Sequence, residues 1–464
     1  MKNFIIPVVL ILLSIFLITA CGPESPGVNS SVTFSIRTVS NGNPIGGVTL
    51  TYGETAVQTG SNGTLSLTID PADYPDAALP ETINITASKK FFVSSSATYT
   101  LSEYAASSTI TEDLEIAPRI FIPDMMGNTG IGRIVAIDDM SGTNRVELSE
   151  IPGYIDSAAE EDETSEKMGR LDAPTAITVD YDNGIIYIFD VESWGGTAWE
   201  DDIAVLIRLT DFPSTAADTL APADVKFFML GGGDATFTTV HQAVITGADE
   251  VLAIIGDGSW DDSNIFRLSG MAADSILVEE AAYSDSTTRM ASGLAVLPDS
   301  KILYLRTSGA NDEEFKTLDN FPDTSSESFF SYNLPSIGDP NYFEMAMRLL
   351  VDKTGSWLYT GDLYDDNQNE DPEYDRVARF DLSSTTDNKD RLNYGGPGPG
   401  TAEFDDPIPL AVLPDNRLYI IDASNNRLVR LDWTGDGAPT GWSAYTPTGD
   451  DAFGFDYFSF YSAC

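Results

Sequence analysis

The chain has 464 residues and carries 72 acidic against 25 basic side chains, a formal net charge of −47. That balance excludes nucleic acid as a partner, because a phosphate backbone needs a basic face, and it opposes electrostatic docking on anionic lipid heads. His241, the single histidine, excludes zinc sites built from several histidines, and a 42% hydrophobic share with 10% aromatic residues excludes a chain too polar to fold.

The N-terminus reads Met1-Lys2-Asn3 and then runs apolar from Phe4 to Ile18. One positive charge, a short apolar core and a small-residue stop describe an export signal, too short for a membrane span. The stop, Leu17-Ile-Thr-Ala-Cys21, resembles the lipobox of bacterial lipoproteins, in which the cysteine thiol takes the lipid. The resemblance implies a signal peptide over residues 1–21, lipidation at Cys21 and a mature chain held in the cell envelope by its N-terminal lipid. Gly22 rather than Asp at the next position points to the outer membrane. Residues 22–31 are small and polar with two prolines, a flexible tether. With Cys21 committed to lipid, Cys464 is left for a buried, free or intermolecular role, and a structural disulfide is not expected.

Residues 32–117 alternate apolar and polar in short runs: Val32–Ile36, Val48–Tyr52, Leu65–Ile69, Ile83–Ala87 and Ala97–Leu101. Asn41-Gly and Ser61-Asn-Gly separate the first three as turns. This pattern predicts a small β-sandwich. The order Gly-x-Pro-Ile-x-Gly-Val-x-Leu, then Thr59-Gly-Ser-Asn-Gly-Thr-Leu-Ser-Leu, resembles carboxypeptidase-regulatory-like and bacterial Ig-like domains, and the resemblance implies a spacer or adhesive module.

Residues 118–464 repeat a unit of strand, tight turn, strand ending in Asp, loop and third strand. The last copy is Pro409–Leu413, Pro414-Asp-Asn, Arg417–Asp422, a short loop and Arg427–Asp432, preceded by Tyr394-Gly-Gly-Pro-Gly-Pro-Gly and Phe404-Asp-Asp-Pro407. That segment resembles an NHL repeat. Four more copies follow the same grammar around Ile185–Asp190, Val251–Asp257, Ile302–Thr307 and Trp357–Asp362. A sixth is split: Arg119–Asp124 and Arg133–Asp138 lack a first strand, which the terminal Tyr457–Tyr461 would supply. The expected fold is therefore all-β: a β-sandwich followed by a six-bladed β-propeller closed by its C-terminal strand.

The repeated carboxylates Asp124, Asp190, Asp257, Asp362 and Asp422 sit where a side chain can accept backbone N–H bonds and fix a turn, and a structural role is expected. His241 beside a strand is expected to be structural as well. Turns between first and second strands are short. Longer connections, at Pro152–Asp172, Glu192–Asp202, Ser308–Ser328 and Leu363–Asp375, lie on the other face, where a rigid scaffold usually carries function. Trp194 and Trp199 in the second of these, Tyr364 in the last, and Trp260 and Asp261 in the connection that follows Asp257 are side chains suited to stacking on a sugar or anchoring a protein. Asp365, Asn367 and Asn369 imitate the start of a calcium loop. Glu370 stands where that loop needs glycine, and Arg376 where it needs a bidentate glutamate.

The leading functional expectation is a binding protein whose loop face meets an envelope or extracellular protein or glycan. The alternative is a calcium-dependent lactonase or esterase, resembling gluconolactonase-type and paraoxonase-type propellers. The acidity has two readings, adaptation to salt or Ca²⁺ binding.

Overall fold

The computed structural model describes residues 31–74, 79–101, 109–125, 132–155, 168–171, 173–192, 203–215, 217–230, 239–256, 264–273, 276–280, 289–307, 313–318, 326–331, 345–363, 375–385, 390–433 and 437–455. The chain divides into two compact units, residues 1–117 and 118–464.

In the first unit, Val32–Ser40 is the organising strand. It pairs antiparallel with Thr64–Ile69 and parallel with Thr109–Glu115. A second sheet runs in the order Thr55–Gln58, Thr49–Tyr52, Thr82–Ser88, Ser95–Thr100. Alternation buries Phe34, Ile36, Leu50, Ile69 and Ile85, and Phe34 meets Tyr99 edge-on at 5.0 Å between the two sheets. The unit is a β-sandwich. The Asn41-Gly42 pair turns the chain with both residues at positive φ, 49° and 77°, the conformation a two-residue hairpin demands. Two strands escape the sequence pattern. Thr55–Gln58 is an exposed edge, and Thr109–Glu115 interrupts its apolar alternation with acids.

The second unit is a β-propeller. Among the described residues it contains one three-stranded and five four-stranded sheets, here labelled blades I to VI in chain order, and one two-stranded sheet between the first two of them. Blades II to VI each have four antiparallel strands, and their first strands are Pro174–Asp180, Thr239–Gly247, Arg289–Val296, Met345–Val351 and Pro407–Val412. Blade I shows three: Ile120–Asp124, Arg133–Ile137 and Val146–Leu148. The three-strand unit read from the sequence is thus short by one outer strand. The stretch Ser308–Ser328, expected as a loop, holds Glu313–Leu318 and the start of Ser326–Ser331. Glu313–Leu318 is the third strand of blade IV; its acidic start and Lys316 break the apolar run, although Phe315, Thr317 and Leu318 are buried. Part of the expected loop Pro152–Asp172 is likewise ordered, as Glu150–Ile155 pairs with Met168–Arg170.

Second strands are apolar on both faces because each blade is covered by two neighbours. Tyr187 and Phe189 of blade II pack with Val251 and Phe266 of blade III. Leu305 and Phe315 of blade IV pack with Leu358 and Phe380 of blade V. The ring closes where Ile120, Ile122 and Val135 of blade I share a core with Ile408, Ile421 and Leu428 of blade VI. The approach is tight. A β-carbon on Gly361 of blade V would lie 2.1 Å from the Pro407 carbonyl oxygen of blade VI, so only glycine fits there.

Candidate functional site

The first strands surround a central channel, and their ladders are irregular at one level. Register shifts fall between Pro174 and Ala176, Val240 and Gln242, Met347 and Leu350, and Pro409 and Ala411. Blade IV shifts twice between Arg289 and Gly293. Each bulge inserts a residue without a ladder partner and re-aims a side chain. Thr175, His241, Arg348 and Leu410 are such residues. They lie toward the strand starts, hence toward the end of the channel from which second-to-third-strand connections leave.

Two long side chains tie this level together. The Gln242 amide donates to the Leu349 carbonyl oxygen at 2.7 Å, while its own oxygen accepts from Leu349 N at 3.0 Å and Leu294 N at 2.8 Å. One buried side chain of blade III thereby joins blades IV and V. Arg348 adopts φ of 56°, a conformation costly for a long side chain, and its guanidinium is buried. It donates to the Thr175 carbonyl oxygen of blade II at 3.0 Å. His241 keeps some accessible surface but lies deep among protein atoms. Burial first, and the neighbouring Arg348 charge second, push its pKa down to about 4.

Beside this level lies a cavity of about 320 Å³. Its walls are mainly apolar, including Ile177, Val179, Val244, Val296, Leu410 and Val412, and Arg348 is the one charged residue among the described lining residues.

Among the described side chains, the repeated carboxylates Asp124, Asp190 and Asp422 hold the blades. Asp422 accepts from Asp405 N at 2.7 Å, from the Asn425 amide at 3.0 Å and from Arg427 Nε at 2.6 Å. Arg427 also donates to the carbonyl oxygens of Pro399, Gly400 and Glu403, so the glycine-rich lead-in is stitched to the blade through this pair. Burial pushes Asp422 upward, while these donors pull against it. Asp124 repeats the arrangement with Arg133 Nε at 2.7 Å. Asp190 accepts from Ala173 N at 2.9 Å. Asp362 stands opposite Arg376 in the ladder. Beside the Asp422 hub, burial and the neighbouring Asp405 and Asp422 charges raise half-buried Asp406 to about 6, against the Ser424 hydroxyl that donates to it.

Asp257, Trp194, Trp199, Trp260, Asp261, Tyr364, Asp365, Asn367 and Asn369 lie outside the described residues, as do Cys21, Cys464 and Tyr457–Tyr461. Among the described residues, no three His, Cys, Asp or Glu side chains come together as a metal site. The channel residues Gln242 and Arg348 escape sequence reasoning, although each leaves a trace. A strand that should be apolar reads Thr239-Val-His-Gln-Ala, and another reads Met347-Arg-Leu-Leu-Val.

No protein-family model matches the chain, and no curated protein does. Solved structures similar to it include a streptogramin B lyase, 16% identical with a TM-score of 0.34, covering 60% of this chain and 70% of that one. The Dos1 propeller is 9% identical with a TM-score of 0.33, covering 70% and 69%. The Cps50 (Swd1) β-propeller domain of Myceliophteria thermophila is 10% identical with a TM-score of 0.34, covering 70% and 88%. These likenesses concern the fold.

Proposed function

We propose that the protein is a lipid-anchored binding protein of the cell envelope, held at the outer membrane through Cys21, whose propeller binds a protein or glycan through its loop face. The observation that carries this reading is how the inner-strand carboxylates are used. Asp124, Asp190 and Asp422 are engaged with backbone N–H groups, and two of them with buried arginines. Carboxylates spent in this way hold the scaffold together. The variable surface is then the set of connections bearing Trp194, Trp199, Trp260, Asp261 and Tyr364, side chains that stack on sugars or anchor partners.

Two measurements on the full chain in lipid nanodiscs test the reading. Thermal melting is compared in chelator, Ca²⁺, Mg²⁺ and NaCl at matched ionic strength. An equal rise with every salt is expected, from screening of the −47 charge. A rise specific to Ca²⁺ would show linkage to a metal site at Asp365, Asn367 and Asn369 and move the reading to a calcium-dependent lactonase or esterase. Binding to envelope polysaccharides and isolated envelope proteins is then measured with and without Trp194→Ala, Trp199→Ala and Trp260→Ala together. Loss of binding at unchanged melting temperature is the expected result, and unchanged binding overturns it.

A further inference from the structure

Aspartate precedes proline four times in the chain, at Asp70, Asp339, Asp371 and Asp406. Such a bond carries its own nucleophile, because the carboxyl can close a five-membered ring on the main-chain carbonyl carbon of the same residue. It also carries a good leaving group, since proline nitrogen belongs to a tertiary amide. Backbone conformation separates two of the four. Asp70 is extended, with φ of −100° and ψ of 133°, as proline requires of the residue before it. Asp406 has φ of 59°, which is uncommon for a residue with a side chain and contrary to what Pro407 favours. Backbone strain of this kind persists only where the surroundings over-determine it, and it gathers at functional sites.

The surroundings are the connection that follows the second strand of blade VI. Ala423 N–H donates to the Asp406 carbonyl oxygen at 3.2 Å, and Ser424 N–H to the Asp405 carbonyl oxygen at 3.1 Å. The Ser424 hydroxyl donates to the Asp406 carboxylate at 2.5 Å. The Asp406 carbonyl is thus polarised by an N–H placed to take up charge on its oxygen. Blade II offers the contrast. Ala173–Pro174 stands at the matching place and Val191 N–H donates to the Ala173 carbonyl oxygen at 3.2 Å, but this bond has no carboxyl.

We propose that the protein cuts its own chain between Asp406 and Pro407. The Asp406 side-chain oxygen attacks the Asp406 main-chain carbonyl carbon and forms a cyclic anhydride. The carbon–nitrogen bond to Pro407 breaks, and the carboxyl proton passes to the proline nitrogen, which leaves as a secondary amine. Water then opens the anhydride. One peptide bond and one water become a carboxyl end at Asp406 and an amine end at Pro407. Burial, with the charges of Asp405 and Asp422, brings the Asp406 carboxyl to about 6 against the Ser424 hydroxyl, so the proton it must deliver is present in mild acid. Arg427, the nearby cation, is bonded to Asp422.

Full chain in lipid nanodiscs is held at pH 5 and at pH 8 at equal ionic strength, and fragments are identified by mass spectrometry and N-terminal sequencing. Fragments ending at Asp406 and beginning at Pro407 are expected, at least tenfold faster at pH 5 and at a rate independent of protein concentration. The bonds after Asp70, Asp339 and Asp371 should be cut at least tenfold more slowly, and in urea that preference should vanish. Asp406→Asn should abolish the cut, and asparagine accepts the positive φ. Pro407→Ala keeps the carboxyl, changes the leaving nitrogen and should slow the cut at least tenfold. Ser424→Ala removes the hydroxyl that favours the ionised carboxyl and should move the pH profile upward. An intact bond at pH 5, equal cutting at all four Asp–Pro bonds of the folded chain, or cutting that persists in Asp406→Asn would each overturn the proposal.

Discussion

Gly454 donates its backbone N–H to the Asp124 carboxylate at 2.8 Å, across a separation of 330 residues. Asp190 and Asp422 accept the same bond from Ala173 and Asp405, which lie one and two residues before the first strands of blades II and VI. Gly454 therefore occupies the lead-in position of blade I, and the last described residues are bonded to the blade that opens the propeller. Arg133 strengthens the seam by donating to Asp124 and to the Ala452 carbonyl oxygen at 2.7 Å.

Asp124→Ala should destabilise the propeller by roughly 3 kcal/mol, because it removes the buried partner of Arg133, leaving that cation only the half-exposed Glu147 carboxylate, and removes the Gly454 bond as well. Deleting residues 449–464 should cost at least as much. Urea unfolding followed by tryptophan fluorescence checks both. Native stability in either variant would mean that the seam does not hold the ring.

Gln242→Leu keeps the volume of the channel side chain and removes its polarity. Leu294 N, Leu349 N and the Leu349 carbonyl oxygen then lose their partners in a buried setting, at about 1–3 kcal/mol each. The expected loss is about 3 kcal/mol or more. Hydrogen exchange should localise it to the first strands of blades IV and V.

Two groups give opposite slopes of stability with pH. Asp406 is raised to about 6, so the folded state holds its proton longer than the unfolded chain, and stability falls as pH rises from about 4 to about 6. Asp406→Asn should remove that loss. One pKa unit is about 1.4 kcal/mol, and screening of this half-buried group brings the gain at pH 7 to about 1 kcal/mol. Asparagine suits the site because φ there is 59°. His241 is lowered to about 4, so the unfolded chain takes up the proton first, and stability falls as pH drops from 6.5 toward 4. His241→Gln should flatten that acid limb. Melting temperatures measured from pH 4 to 7 separate the two effects. Parallel curves for wild type and both variants would refute them.

Arg379 is fully buried, with its guanidinium carbon 3.9 Å from the Trp357 ring centre and 4.7 Å from that of Trp433. It also donates to the Trp433 carbonyl oxygen at 3.3 Å. A flat, weakly hydrated cation suits this slot, and an ammonium does not. Arg379→Lys is expected to cost about 2 kcal/mol and to change the near-UV circular dichroism of the two tryptophans. An unchanged spectrum and melting temperature would show that the stacking contributes nothing.

The sequence by itself determined the all-β class, most strand centres and the repeating Asp. These are local properties: period-two alternation in the sandwich, continuous apolar runs where blades cover both faces, and turn residues at fixed offsets. Arg119–Asp124 carries the signature of a second strand with no first before it, and among the described residues the first blade does begin there, while the expected closing strand Tyr457–Tyr461 lies outside them. The third strand Glu313–Leu318 escaped because its acids and Lys316 interrupt the apolar run, although Phe315, Thr317 and Leu318 are buried. The channel level was decided by tertiary structure alone. Arg348 meets Thr175 across 173 residues, and Gln242 meets Leu349 across 107. Those meetings depend on bulges that shift register by a residue or two and on the closure of the ring. No local pattern encodes either, because a bulge is selected by what the neighbouring blades leave to be filled.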